Sequence, residues 1–190
     1  MAYYTDEELK AMGFKSLGKH VKISTKTSIY DCAKITIGDY SRIDDFCVVS
    51  GNITIGRHVH ITPMCLLAGG EPGLEIGDFC ACAYGVKVFT QSDDYSGQTM
   101  TNSTVPKKYK NEAMAAVRIG RHTILGAGAT VMPGVTLGEG TSVGAMALLL
   151  ASTEPWGIYA GVPARRIKER SRELLKLEAQ FMKEASDDTI

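Results

Sequence analysis

The chain carries four imidazoles, His20, His58, His60 and His122, and one of them is placed to meet a reactant. His60 follows the small Val59 in the run His60-Ile61-Thr62-Pro63, where an extended backbone projects it outward. An imidazole titrates near neutral pH and suits proton transfer or contact with a polar substrate. His58 and His122 fall at positions expected to face solvent. Asp93 and Asp94 form an adjacent carboxylate pair just before Tyr95-Ser96-Gly97. Repulsion between neighbouring carboxylates raises the pKa of one and suits it to hold an amine. The same residues also fit simple turn formation. Tyr95 stands beside the pair as a substrate-facing candidate, and Lys107-Lys108 offer cations for a diphosphate or a solvated loop surface.

These residues ride on a repeat. From Ile119 an aliphatic residue returns every sixth position, at Leu125, Val131, Leu137, Val143 and Leu149. A small or β-branched residue follows four places later, at Thr123, Ala129, Val135, Thr141 and Ala147. Neither helix nor strand has that period. Six residues make one flat side of a triangular coil, about eighteen residues per turn. Glycines directly after the aliphatic position, such as Gly120 and Gly138, suit corners needing positive φ. A single coil cannot bury its own inner face, so stacked coils supply the core.

The hexads begin at Leu17-Gly18, Ile23 and Ile29, slip by two residues after Ile35, and resume at Ile37, Ile43, Val49, Ile55, Ile61 and Leu67. Cys47, Cys65 and Cys80 occupy the small inward slot and read as small hydrophobes, and Cys80-x-Cys82 is too tight for a usual zinc knuckle. Two interruptions break the period. Ala68–Leu74 adds a small bulge, and residues 93–116 form a polar loop without hexads, the kind of long excursion that usually serves function. Thr5-x-x-Glu8 is a capping box that starts a short helix, with Gly13 as its stop. Residues 1–16 thus read as a helical cap, 17–163 as the coil domain with its extruded loop, and 164–190 as a C-terminal helix with Ile167, Leu174, Leu175, Leu177, Phe181 and Met182 on its apolar stripe. Trp156 fits either packing beneath the last turn or stacking against an adenine.

Nothing in the bulk charge points to nucleic acid or anionic lipid: 21 basic residues balance 21 acidic ones. The longest apolar run, Ala145–Ala151, is too short for a bilayer, and MAYYTDEELK is no signal peptide. Five cysteines without an export signal suggest reduced thiols, so a soluble cytoplasmic protein is expected.

Hexads, an extruded loop and the ending Gly161-Val162-Pro163-Ala164-Arg165 together resemble the hexapeptide-repeat acyltransferases. That resemblance implies an all-β solenoid, a left-handed parallel β-helix with short terminal helices, assembled as a homotrimer with sites between subunits. It implies acetyl-CoA as co-substrate and a small sugar acceptor, with no nucleic acid, membrane or required metal. The second half is similar to galactoside and maltose O-acetyltransferases. By that likeness Ala127 and Ala145 offer backbone groups to the pantetheine arm, while Arg165 and Lys168 meet the phosphates. The likeness also leads one to expect a threonine-lysine pair near the adenine, where this chain has Leu150-Ala151.

The first half departs. Sugar O-acetyltransferases of this kind carry a catalytic histidine before the extruded loop, where this chain reads Phe89-Thr90-Gln91-Ser92-Asp93. Sialic-acid and bacillosamine type N-acetyltransferases resemble it instead at His60-Ile61-Thr62-Pro63, a segment whose histidine contacts donor or substrate in those enzymes. The opening YYTDEELKAMGFKSLG and the loop's SDDYSG and TVPKKY resemble acyltransferases of nucleotide-linked amino-deoxy sugars, which feed surface polysaccharides such as O-antigen. A sugar hydroxyl needs a base before it attacks a thioester, whereas a free amine needs mainly positioning and a proton sink. Loss of the loop histidine therefore favours N-acetyl transfer to an amine, with His60, Asp93 and Asp94 as catalytic candidates. The alternatives are a galactoside- or maltose-type O-acetyltransferase and a non-catalytic β-helix subunit. A γ-type carbonic anhydrase is disfavoured, because it needs two histidines five apart and His58 and His60 are two apart.

Overall fold

The computed structural model describes residues 2–187. Its body is a left-handed parallel β-helix in which strands, mostly of two or three residues, pair with those of the coils before and after. Three aliphatic ladders run through the interior. One stacks Ile37, Ile55, Ile76, Ile119 and Leu137. A second stacks Ile23, Ile43, Ile61, Cys82, Leu125 and Val143. The third stacks Val49, Leu67, Val88, Val131 and Leu149. All are buried, as are the small slots at Thr123, Ala129, Val135, Thr141 and Ala147. Each buried aliphatic side chain is worth about 1.5–3 kcal/mol, and the neighbour coil provides the surface that buries it.

The glycines after the aliphatic positions have a different cause from the one expected. Gly120 and Gly138 do not have positive φ. A Cβ on Gly120 would lie 2.6 Å from the Glu139 nitrogen, and one on Gly138 would lie 2.5 Å from the Pro155 nitrogen. Adjacent coils approach too closely there for a side chain. Positive φ falls two residues later, and mostly on residues other than glycine: His20, Tyr40, His58, Phe79, His122 and Trp156. Their rings form a column up one corner, with centroids 4.8 to 5.3 Å apart from His20 to His122 and 6.4 Å between His122 and Trp156. Left-handed backbone costs about 1–2 kcal/mol per residue, and ring stacking offsets it.

That column corrects the expectation for two histidines. His58 is half-buried between Tyr40 and Phe79. His122 is only 7 % exposed, with its Nε2 2.9 Å from Glu178 Oε2. Both do sit at corners, but corner residues here are packed. Trp156, 5 % exposed, packs beneath the last turn, its ring against Gly140.

At the N-terminus, α1 (Asp6–Ala11) has the expected capping box: the Glu8 N–H donates to Thr5 Oγ1 and the Thr5 N–H to Glu8 Oε2. Leu9 of α1 is buried against the first coil. At the other end the helix starts later than the stripe suggested. Arg165–Glu169 is a strand, antiparallel to Gly157–Ala160, and α2 spans Leu174–Asp187. The chain reverses at Gly161 (φ 98°), which brings the exposed Arg-Arg-Ile-Lys-Glu run against the last coil's open edge. Ile167 is consequently exposed and lies outside α2. Phe181 of α2 meets the corner column edge-on at His58 and Phe79. Residues 188–190 lie outside the described part.

The first interruption is a run-through corner. Val48–Ile55 and Leu66–Ile76 continue as single paired strands, and their register shifts around Gly51. The second interruption is the loop that builds the site.

Candidate active site

The loop leaves the coil through Gln91–Ser92 and returns through Ala113–Met114, which pair antiparallel with each other. Inside that neck, Lys110 Nζ donates to Glu112 Oε1 at 2.9 Å, and Gln91 Nε2 donates to the same oxygen at 3.1 Å. The Lys110 side chain is 6 % exposed. Its ammonium, then Gln91, holds the Glu112 carboxyl below the usual carboxylate range.

The two aspartates differ in their surroundings. Asp94 accepts the Ser96 N–H at 2.8 Å, the Ser96 hydroxyl at 2.9 Å and the Thr99 hydroxyl at 2.8 Å. Those donors, the Ser96 N–H foremost, lower its pKa, opposite to the rise expected from carboxylate repulsion. Asp94 shapes the turn. Asp93 accepts the Asn102 N–H on Oδ1 at 3.2 Å and lines an open cavity of about 550 Å³. Phe89, Tyr95 and Met132 give that cavity apolar walls, and Ser92, Asn102 and Ser103 give it small polar ones. Glu112 lines the same cavity. Lys107 and Lys108 do not line it: both are exposed on the short turn Lys107–Tyr109, where Lys108 Nζ lies 4.8 Å over the Tyr109 ring.

His60 belongs to another face, on the strand His60–Ile61 between Arg42–Ile43 and Ala81–Cys82. Its side chain projects outward as expected, 43 % exposed, and Nε2 is 2.9 Å from Asp44 Oδ2. Asp44 is buried and clamped by Arg42 through Nε at 2.6 Å and Nη2 at 3.0 Å. Burial pushes the Asp44 carboxyl up, but the bonds from Arg42 and His60 outweigh it and hold it low. An anchored carboxylate of this kind fixes the ring's orientation and leaves the Nδ1 edge free of that contact.

Of the expected donor groups, Ala127 and Ala145 share one corner, and Lys168 lies along the adjoining side, paired with Ile158. Ala127 and Ala145 are exposed, and the Met146 N–H donates to the Ala127 carbonyl. The Gly161–Arg165 segment docks below them, with the Leu148 N–H on Gly161 O and the Ala164 N–H on Leu148 O. Arg165 and Lys168 are exposed on the terminal strand. Cys47, Cys65 and Cys80 are buried as expected, and burial pushes the Cys80 thiol up to about 12. Among the described residues no three His, Cys, Asp or Glu side chains converge to hold a metal. No helix is long and apolar enough to cross a membrane.

Four residues of these clusters were not anticipated: Arg42, Asp44, Lys110 and Glu112. Arg42 and His60 are eighteen residues apart, one coil, so that neighbour was available from the repeat. Lys110 and Glu112 lie in the aperiodic loop, where no spacing signals a contact.

Residues 34–69 and 116–151 match the family described as bacterial transferase hexapeptide (six repeats). Over the full length of both chains the protein is 40 % identical to dTDP-4-amino-4,6-dideoxy-D-glucose acyltransferase from Escherichia coli. It also superposes on AntD, an N-acyltransferase from Bacillus cereus solved with dTDP and 3-hydroxybutyryl-CoA, with a TM-score of 0.96 and 44 % identity, covering 98 % of this chain and 100 % of that one. A variant of AntD solved with dTDP-4-amino-4,6-dideoxyglucose and coenzyme A superposes with a TM-score of 0.95 and 45 % identity, covering 96 % and 98 % of the two chains. By repeat, full-length identity and superposed backbone, this chain belongs to the hexapeptide-repeat acyltransferases.

Proposed function

We propose that the protein transfers an acetyl group from acetyl-CoA to the amino group of dTDP-4-amino-4,6-dideoxyglucose, or a close nucleotide-linked relative, for surface polysaccharide such as O-antigen. The observation that carries this reading is the near-complete superposition on AntD, whose complexes hold that sugar nucleotide and coenzyme A. The cavity at the loop neck agrees with it, since carboxylates line the wall rather than the histidine an alcohol acceptor needs.

The chemistry is thioester aminolysis. The free amine attacks the thioester carbonyl carbon, a C–N bond forms, and the C–S bond breaks to release CoA thiolate. The amine's surplus proton passes to the Asp93 carboxylate or to the departing thiolate. Asp94 holds the turn that presents Asp93, and Tyr95 supplies an apolar wall for the sugar. The donor lies along the corner of Ala127 and Ala145, with Arg165 and Lys168 toward its phosphates. Lys107 and Lys108 remain available to the nucleotide diphosphate from outside the cavity.

His60 faces a different side from Asp93, so a shared role for both needs a neighbouring subunit. A homotrimer provides one. Its support here is an apolar strip of Phe46, Met64, Tyr84 and Met146 on the donor corner, each more than half exposed in the single chain. A cytoplasmic site of action fits the five free thiols.

The deciding measurement is CoA release from acetyl-CoA against a panel of nucleotide-linked amino and hydroxy sugars, maltose and a galactoside. Turnover is expected with the amino sugar nucleotide and not with its 4-hydroxy analogue. Turnover confined to maltose or the galactoside would replace this reading with O-acetyl transfer. Sedimentation of the active protein should give three chains, and a fully active monomer would remove the intersubunit site.

A further inference from the structure

Two carboxylates line the loop cavity, and their surroundings differ. Glu112 uses one oxygen, Oε1, to receive both Lys110 and Gln91. Oε2 has no hydrogen-bond partner among the described residues, although the carboxylate lines the cavity. Lys110, almost fully enclosed, pins the group, so the free oxygen is held in one orientation. Gln91 lies on the outgoing strand of the neck and Glu112 borders the returning one, so the contact spans the neck.

Resting on the amino-sugar reading above, we infer that Glu112 is a specificity residue for the acceptor, its Oε2 receiving a hydrogen bond from a hydroxyl of the sugar ring beside the reacting amine. A carboxylate paired to a lysine is a weak base and stays ionised, so it reads a donor rather than removing a proton. Proton handling then falls to Asp93, whose carboxylate accepts only the Asn102 N–H among the described residues. Phe89 and Met132 complete a wall suited to a pyranose, which presents an apolar face and a hydroxyl-bearing edge. Reading a hydroxyl by a fixed acceptor that the bound sugar shields from water gives discrimination, because an analogue without the donor leaves that acceptor unpaired.

The test compares wild type with Glu112→Gln, which keeps an oxygen for Lys110 and Gln91. Calorimetric Kd values are measured for dTDP and for dTDP-4-amino-4,6-dideoxyglucose, together with kcat and KM. The sugar nucleotide should bind the variant about tenfold to a hundredfold more weakly, with dTDP affinity and acetyl-CoA KM unchanged. kcat at saturating acceptor should stay within about threefold of wild type. An equal loss for dTDP and sugar nucleotide would make Glu112 merely structural and overturn the inference, as would unchanged acceptor affinity. Wild type that neither binds nor acylates the amino sugar nucleotide would instead bring down the functional reading itself, and this proposal with it.

Discussion

His60 Nε2 donates to Asp44 Oδ2 across one coil at 2.9 Å, and Asp44 is gripped by the guanidinium of Arg42. The imidazole is therefore oriented before any ligand arrives, with one edge still open to solvent. His122 is tied up in packing and in the Glu178 contact. His60→Ala should lower kcat/KM at least about tenfold. His122→Ala should leave turnover near wild type and lower the thermal midpoint. Equal, wild-type rates for the two variants would remove His60 from the site.

The same carboxylate gives a pH signature. The folded-state pKa of Asp44 is depressed, so its contribution to stability is present above the unfolded carboxylate value near 4. It is lost as pH falls below that value through the folded pKa. Thermal midpoints measured from pH 6 to pH 3 should therefore fall less steeply for Asp44→Asn than for wild type, from a lower starting midpoint. Parallel curves would show that Asp44 titrates alike in both states.

Asp93 and Asp94 should separate kinetically. Asp93→Asn removes the carboxylate on the cavity wall and should lower kcat by about a hundredfold or more, with the coil intact. Asp94→Asn weakens three bonds within the turn and should act mainly through acceptor KM. Steady-state kinetics on both variants decide which carboxylate meets the amine.

The loop's outer part should be dispensable for folding, because it pairs with none of the coils. Met100 and Lys110 form a parallel bridge pair, so a flexible glycine-serine link of about six residues, longer than a tight turn, can replace residues 101–109 and spare Lys110 and Glu112. Far-ultraviolet circular dichroism should keep its β signal, while acceptor KM rises more than about tenfold because Asn102, Ser103 and their wall are gone. Unchanged kinetics would make the outer loop irrelevant to the acceptor.

Glycine substitutions should rank by contact. A methyl group at Gly120 meets backbone in the next coil, whereas Gly85 has open space and only a positive φ to satisfy. Gly85→Ala should destabilise by about 1–2 kcal/mol. Gly120→Ala should lower the urea midpoint considerably further, since two stacked coils must part to admit it.

The interior of this protein is readable because each inward slot recurs at a fixed spacing and admits only a few side chains. Ile119, Leu125 and Val131 announce themselves. The corners are harder. The members of the ring column are separated by 18 to 43 residues, because each interruption changes the length of its coil. Their contacts emerge only once the register is fixed. The terminal segment misled for a related reason: Ile167 continues a helical stripe on paper, but the open edge of the last coil supplies hydrogen bonds that a helix would forgo. In the loop, Lys110 and Glu112 obey no period. Only folded geometry reveals that Lys110, rather than its neighbours Lys107 and Lys108, is the lysine enclosed beside the cavity.

The reversed strand Arg165–Glu169 has a consequence for solution behaviour. An uncapped solenoid presents a parallel edge onto which another molecule can add, and repetition of that step yields a fibre. Here the terminal edge runs in the opposite sense and bears Arg165, Arg166 and Lys168, so an incoming first coil meets mismatched polarity and positive charge. Trimming the chain before Arg165 should expose that parallel edge and promote self-association, read as a larger mass in sedimentation.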